Sequence, residues 1–332
     1  MPARTIARST AAALAILAAL PAAAKTPVTF GTNWLPQAEH GGFYQAVADG
    51  TYAACGLDVT ILPGGPQVNN RALMMAGRID FHMGGNLLGT FSAAAEGVPV
   101  VAVAAIFQKD PQVILTHPGV AQSFADLRNL RLLISDMGFA SFYRWMMAAY
   151  GFTAEQREVY TFNAAPFIAD PGLAMQGFLS SEPYIVQREG GFTPDVWLLA
   201  DAGYSTYSTL IETMQATIDT RPEVVQCFVD GSIKGWYNYL YGDNTAANAM
   251  IMRDNPEMTQ DKIDFAIATM KAEGIVDSGD ALELGIGAMT AARITDFFDK
   301  MVAAGVVAAD LDWRGAVSFD FVNRGVGMDL RR

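Results

Sequence analysis

Cysteine is almost absent from this chain. The 332 residues hold two, Cys55 and Cys227, far apart in the sequence, and no CxxC. Zinc-ribbon and dithiol redox chemistry therefore have no ligands to work with. An oxidising compartment permits a disulfide, but two residues do not imply one. Two ordinary, unpaired cysteines are the expectation. Histidine is scarce as well: His40, His82 and His117 are too scattered to write a metal signature such as HExxH. Nor is there a Walker glycine–lysine loop, a GxSxG elbow, or a GxGxxG after the first strand-like run. The loop-like GSIKG at 231–235 sits inside a helical stripe. Nothing supports a metalloenzyme, a nucleotide hydrolase or a serine hydrolase.

Positive charge is the next shortage. Twenty-two Lys and Arg stand against 34 Asp and Glu, for a net charge of −12. Without residues 1–24, which contain two arginines and no acid, 20 basic side chains face 34 acidic ones and the charge is −14. Nucleic acid and anionic lipid both need a positive footprint, so neither is an expected partner. Long apolar runs are rare too. Ala11–Leu20 is about half the roughly 20 residues of a spanning helix. Val98–Phe107 is broken by Pro99.

The first run follows Arg4 and Arg8 and precedes Pro21 and small residues, which is the layout of a secretory signal peptide. Cleavage is expected after Ala24. No cysteine immediately follows that point, so lipid anchoring there is not indicated, and a soluble, monomeric periplasmic protein is expected. About 308 mature residues exceed one core and predict two lobes.

From Thr26 onward, strand-like and helix-like pieces alternate. Strands are expected at 28–32, 57–62, 79–83, 100–106, 113–115, 131–135, 158–160, 183–186 and 196–200. Helices are expected at 41–50, 70–76, 87–96, 124–127, 139–149 and near 173–180. This alternation predicts an α/β fold of mainly parallel sheets flanked by helices. The first lobe is expected over 25–115 and 205–332, and the second over 116–204. Pro222–Leu240, Thr259–Gly274 and Thr290–Ala304 carry apolar stripes at helical spacing and read as packing faces.

In doubly wound domains ligands lie beyond the C-terminal ends of the strands. Candidate contacts are therefore Trp34, Glu39 and His40 after the first strand, and Gly64 and Gly65 after the second. His82 and Asn86 flank the third. From the second lobe come Asp136 and Phe139 at a helix entry, and Glu182 and Tyr184 in SEPY. Tyr204 and Tyr207 lie in the expected connection between lobes. Trp34 offers a stacking face, His40 a donor or acceptor near neutral pH, and Glu182 a carboxylate for the nitrogen edge of a heterocycle. Each also has a plain reading as core, cap or junction residue.

The segments NWLPQAEHGGFYQAVADGTYAACGLDVTILPGGP and AGRIDFHMGG, with SEPY later, resemble the NMT1/THI5-like branch of periplasmic substrate-binding proteins of ABC transporters. The resemblance is strong over about residues 28–110 and weak in the C-terminal third. It implies a two-lobed, type II Venus-flytrap fold, no enzymatic activity, no cofactor, and a permease partner in the inner membrane. It also implies a small-molecule ligand, with thiamin pyrimidine precursors foremost and Trp34, Tyr184 and Glu182 as candidates by position. Riboflavin, or an aromatic or alkane sulfonate or carboxylate, is the alternative, with Arg144 or Arg188 as the anion's partner. Eukaryotic relatives are pyridoxal-phosphate-dependent pyrimidine synthases with a cysteine-rich motif, which the two isolated cysteines here do not reproduce.

Overall fold

The computed structural model describes residues 24–65 and 68–331, so the expected leader and two positions of the Pro63–Asn70 loop, Pro66 and Gln67, lie outside the described residues. The strands are β1 (Thr26–Gly31), β2 (Leu57–Leu62), β3 (Phe81–Asn86), β4 (Val100–Phe107), β5 (Gln112–Thr116), β6 (Arg131–Ile134), β7 (Arg157–Val159), β8 (Leu173–Phe178), β9 (Asp195–Leu198) and β10 (Ser208–Met214). They form two five-stranded sheets, ordered β2-β1-β3-β10-β4 and β7-β6-β8-β5-β9. Both sheets are mixed. β1 runs parallel to β2 and β3, whereas β10 is antiparallel to β3 and β4. In the second sheet β6 is parallel to β7 and β8, and β5 is antiparallel to β8 and β9. Helices flank each sheet, giving the two-lobed α/β architecture of periplasmic binding proteins.

The chain passes between sheets twice, once between β4 and β5 and once between β9 and β10. Because β5 begins at Gln112, the first crossing precedes that residue and does not fall at 116. β4 is buried along its whole length, and its outer edge is capped by bridges from Val317 and Gly287. The C-terminal segments thus cover an edge that would otherwise invite foreign strands.

Two elements differ in kind from the sequence reading. Residues 173–178, LAMQGF, carry helix formers but are the central strand β8, paired on both sides and buried. Sheet pairing there overrides weak intrinsic propensity. Residues 183–186 are not a strand but part of the helix Glu182–Gly190, which has Pro183 in its first turn and ends at Gly191 with φ 73°. Proline in a first turn and glycine just past the end are ordinary helix boundaries. The helix expected over 139–149 is two helices, Asp136–Ala140 and Phe142–Tyr150, broken at Ser141.

The cysteines are also a correction. Cys55 and Cys227 form a disulfide with Cα atoms 6.0 Å apart, tying the turn after the helix Thr51–Ala54 to the helix Pro222–Tyr241. Chain separation hid a proximity that helix packing creates: Gly231 of that long helix lies against the Tyr52 ring.

Candidate functional site

The segment after β1 is held rigidly. The Thr32 hydroxyl donates to the carbonyl of Trp34 at 2.9 Å and accepts the Gly64 N–H at 2.9 Å. The Asn70 amide donates to the Thr32 carbonyl at 2.8 Å, and the Asn255 amide donates to the Pro36 carbonyl at 2.8 Å. Gly64 is there for close approach of backbone, since a Cβ would stand 2.4 Å from the Thr32 carbonyl oxygen. Gly65 is buried beside it, against Leu35. Four anchors thus fix the direction of Trp34, which stays half-buried.

Trp34 faces the other lobe. Its ring lies 5.2 Å from that of Phe162, in the loop after β7, at an interplanar angle of 45°. Five residues on, Glu39 is buried and its carboxyl accepts a hydrogen bond from the Ser180 hydroxyl, which follows β8. The first wall of the crevice therefore touches the second at two points, one aromatic and one polar. Beside the polar contact lies a cavity of about 50 Å³ bordered by Gln37, Glu39, Ser180, Tyr184, Met258 and Lys262. That is well below the roughly 300–1,000 Å³ that encloses a ring-sized ligand, so admitting one parts the lobes.

Acidity dominates the electrostatics. Burial raises the Glu39 carboxyl to about 7, Ser180 opposes this, and nearby Glu182 adds to the rise. Glu182 is itself raised by burial, although the Phe178 N–H donates to its carboxyl at 2.6 Å. Tyr160, whose ring lies tilted 5.3 Å from that of Phe162, is raised by burial and by the Glu182 charge. Near neutral pH a half-neutral carboxyl both donates and accepts, which suits the ring nitrogens and amino groups of a heterocycle.

The other expected residues fall into two groups. Tyr184 borders the cavity, with its ring 5.4 Å from Phe265 and the Arg188 guanidinium 5.9 Å from its centroid. Asp136 and Phe139 share a cation: Arg157 pairs with the exposed carboxylate and lies 4.8 Å from the Phe139 ring. Asn86 caps the helix Leu87–Ala95, accepting the Leu88 N–H at 3.1 Å.

His40, His82, Tyr204 and Tyr207 are built into the lobes. His40 is buried, pushed down to about 3 by desolvation and hence neutral, and its Nδ1 has no hydrogen-bond partner among the described residues. As a neutral imidazole it keeps one donor and one acceptor nitrogen, but it carries no charge near neutral pH. His82 donates from Nδ1 to Glu212 at 3.0 Å. Glu212 also receives Arg71 and Thr90; burial opposes its ionisation, but His82 and Arg71 outweigh that and hold its carboxyl below the usual range. Tyr204 and Tyr207 do not offer stacking faces. The Tyr204 ring is packed between Trp145 and Phe297, and the Tyr207 hydroxyl donates to Asp280 under the Arg293 guanidinium.

Phe162, Tyr160, Ser180 and Lys262 went unnoticed in the sequence. The rule that selected Trp34, a position just past a strand's C-terminal end, also selects Phe162 and Ser180. No local pattern points to Lys262, which arrives from the helix Gln260–Ala272.

Two sheets, each flanked by helices, meeting across a crevice walled by loops at strand ends define a two-lobed solute-binding protein. The chain belongs to the NMT1/THI5-like family, whose model matches residues 37–247. A riboflavin-binding protein, RibY, of Chloroflexus aurantiacus is 26% identical, with 93% of this chain and 92% of that protein aligned. Among solved structures, a protein of Bordetella bronchiseptica RB50 superposes with a TM-score of 0.65 at 14% identity, covering 92% of this chain and 98% of that one. The alkanesulfonate-binding protein SsuA of Xanthomonas axonopodis pv. citri, bound to MOPS, gives 0.63 at 12% identity over 90% and 100%. The fold is that of periplasmic ligand-binding components of ABC importers. Among the described residues no His, Cys, Asp and Glu cluster could hold a metal ion, and no helix is long and apolar enough to cross a membrane.

Proposed function

We propose that this protein captures a small, flat, nitrogen-containing aromatic ring between its lobes and delivers it to the permease. The observation that carries the reading is a half-open indole, Trp34, in the same crevice as two carboxyl groups, Glu39 and Glu182, that burial raises above the usual carboxylate range, Glu39 to about 7. Trp34 supplies the stacking face, and the acids supply the hydrogen bonds to the ring edge. Riboflavin is the first ligand to try, because the RibY likeness runs along nearly the whole chain; a thiamin pyrimidine precursor presents the same edge chemistry. In this reading the leader is removed near Ala24 and the mature chain works as a monomer.

A sulfonate or carboxylate is the second reading, and Lys262 at the cavity favours it. The arginines argue against it: Arg71 is paired with Glu212, Arg157 with Asp136 and Arg293 with Asp280. Arg144 and Arg188 are exposed.

A thermal-shift screen of riboflavin, 4-amino-5-hydroxymethyl-2-methylpyrimidine, adenine, an alkanesulfonate and nitrate tests the proposal. At a hundred times Kd a ligand adds about 2.7 kcal/mol to stability. An aromatic ring is expected to raise the midpoint, and Trp34→Ala or Glu182→Ala to abolish the rise while leaving the unliganded fold intact. A rise with sulfonate or nitrate alone would contradict the proposal.

A further inference from the structure

Phe162 combines three properties that a packing residue does not need. The residue is 54% exposed. Its φ is 63°, a left-handed conformation shared among non-glycine residues described here by Thr209 and Asn323 alone. Its ring also meets Trp34, which hangs from the other sheet. A bulky side chain at such a φ is strained, and backbone strain that persists marks a place where the surroundings require that direction of the side chain. The next residue, Asn163, shows how the turn could be served otherwise, since asparagine tolerates this conformation at little penalty and is already engaged in capping Ala165. The surroundings that use Phe162 are Tyr160, 5.3 Å away at 52°, and Trp34 across the crevice.

We propose that Phe162 is the second jaw of an aromatic bracket: the ligand ring enters between Trp34 and Phe162, one face on each lobe. This rests on the aromatic-ring reading above and adds to it the residue that sets specificity for planarity. Two faces of a flat ring are each covered by a flat ring when the jaws stand roughly 7 Å apart, twice the usual stacking distance. A tetrahedral sulfonate cannot fill such a slot on both sides. The bracket also explains how binding is converted into closure. A ligand held by Trp34 alone has the same contact in open and closed forms, whereas one that also reaches Phe162 binds the closed form better and shifts the equilibrium toward it.

The test uses the mature protein and the five-compound panel, with Kd measured by calorimetry for wild type, Trp34→Ala, Phe162→Ala, Phe162→Gly and Phe162→Tyr. Phe162→Ala is expected to weaken the bound ring about tenfold or more, and Phe162→Tyr to stay within about threefold of wild type. Phe162→Gly should lose the same affinity yet unfold at a temperature no lower than Phe162→Ala. That reverses the usual order of the two residues, because glycine alone is unpenalised at φ 63°. A ring that binds wild type, is weakened by Trp34→Ala and is indifferent to Phe162→Ala overturns the bracket and leaves the ring reading standing. Binding of sulfonate or nitrate alone, or of no panel member, overturns both. Phe162→Ala more stable than Phe162→Gly overturns the claim of backbone strain.

Discussion

Glu39 illustrates how a single carboxyl can join two lobes. It is only 3% exposed, bonded to Ser180 of the opposite wall, and held to about 7 by burial. Its folded-state value lies above the ordinary 4.5, so the stability it contributes is complete below about pH 4.5 and is lost as pH rises through about 7. Glu39→Gln keeps the shape and cannot ionise. The variant is expected to match wild type at pH 4.5 and to exceed it at pH 8 by an amount on the order of 2 kcal/mol, read from urea unfolding at the two pH values. Asp110, between β4 and β5, is raised to about 6 by burial and should steepen the same trend. His40 next door is held neutral by burial in the folded state, so below its ordinary 6.5 it contributes a slope of the opposite sign, stability rising with pH. That slope is common to wild type and Glu39→Gln and cancels in their difference.

At the scale of elements, the HGG that opens the helix Gly41–Ala48 serves packing. A Cβ on Gly41 would stand 2.0 Å from the Tyr239 ring, and one on Gly42 would stand 2.2 Å from the Trp236 ring. Gly235 meets the backbone of Gly42 from the other side, with its Cβ position 2.2 Å from the carbonyl oxygen. Small residues at these positions let the helix Pro222–Tyr241 cross Gly41–Ala48 at close range and anchor the crevice wall that carries Glu39. Gly235→Ala must displace backbone, and it should cost about 1–3 kcal/mol in denaturant titration while leaving β-sheet circular dichroism unchanged. This crossing also shows what could be read in advance. Val225, Phe228, Val229, Ile233 and Trp236 recur at helical spacing, so the long helix was legible, and so was β2 with its alternating burial. β8 was not, because LAMQGF is strand only through its neighbours on both sides. The disulfide and the inward packing of Tyr204 and Tyr207 depend on tertiary placement that no local pattern carries. The place of Trp34 just past β1 was legible from the strand end, whereas Glu182, expected at the entry to a strand, opens the helix Glu182–Gly190. The position of Phe162 just past β7 was legible by the same rule, but its φ, which sets its ring against Trp34, has no signature in TFNAAP.

For the molecule as a whole, the account joins three features: two mixed sheets crossed twice by the chain, a net charge of −12, and a crevice in which acids and aromatics meet. The negative field repels anions at long range and is indifferent to neutral rings, in keeping with the chemistry of the crevice. At the crevice the lobes touch through the Trp34–Phe162 pair, the Glu39–Ser180 bond and the Tyr184–Phe265 pair, so a ligand that replaces the first and borders the second contacts both lobes at once. The most direct measurement is a crystal structure of the mature protein with whichever ring of the panel raises its melting midpoint most. The account predicts electron density for that ring between Trp34 and Phe162, with its nitrogen edge on Glu39 or Glu182. A ring seated within one lobe, or outside the crevice with the Trp34–Phe162 contact still intact, would contradict it.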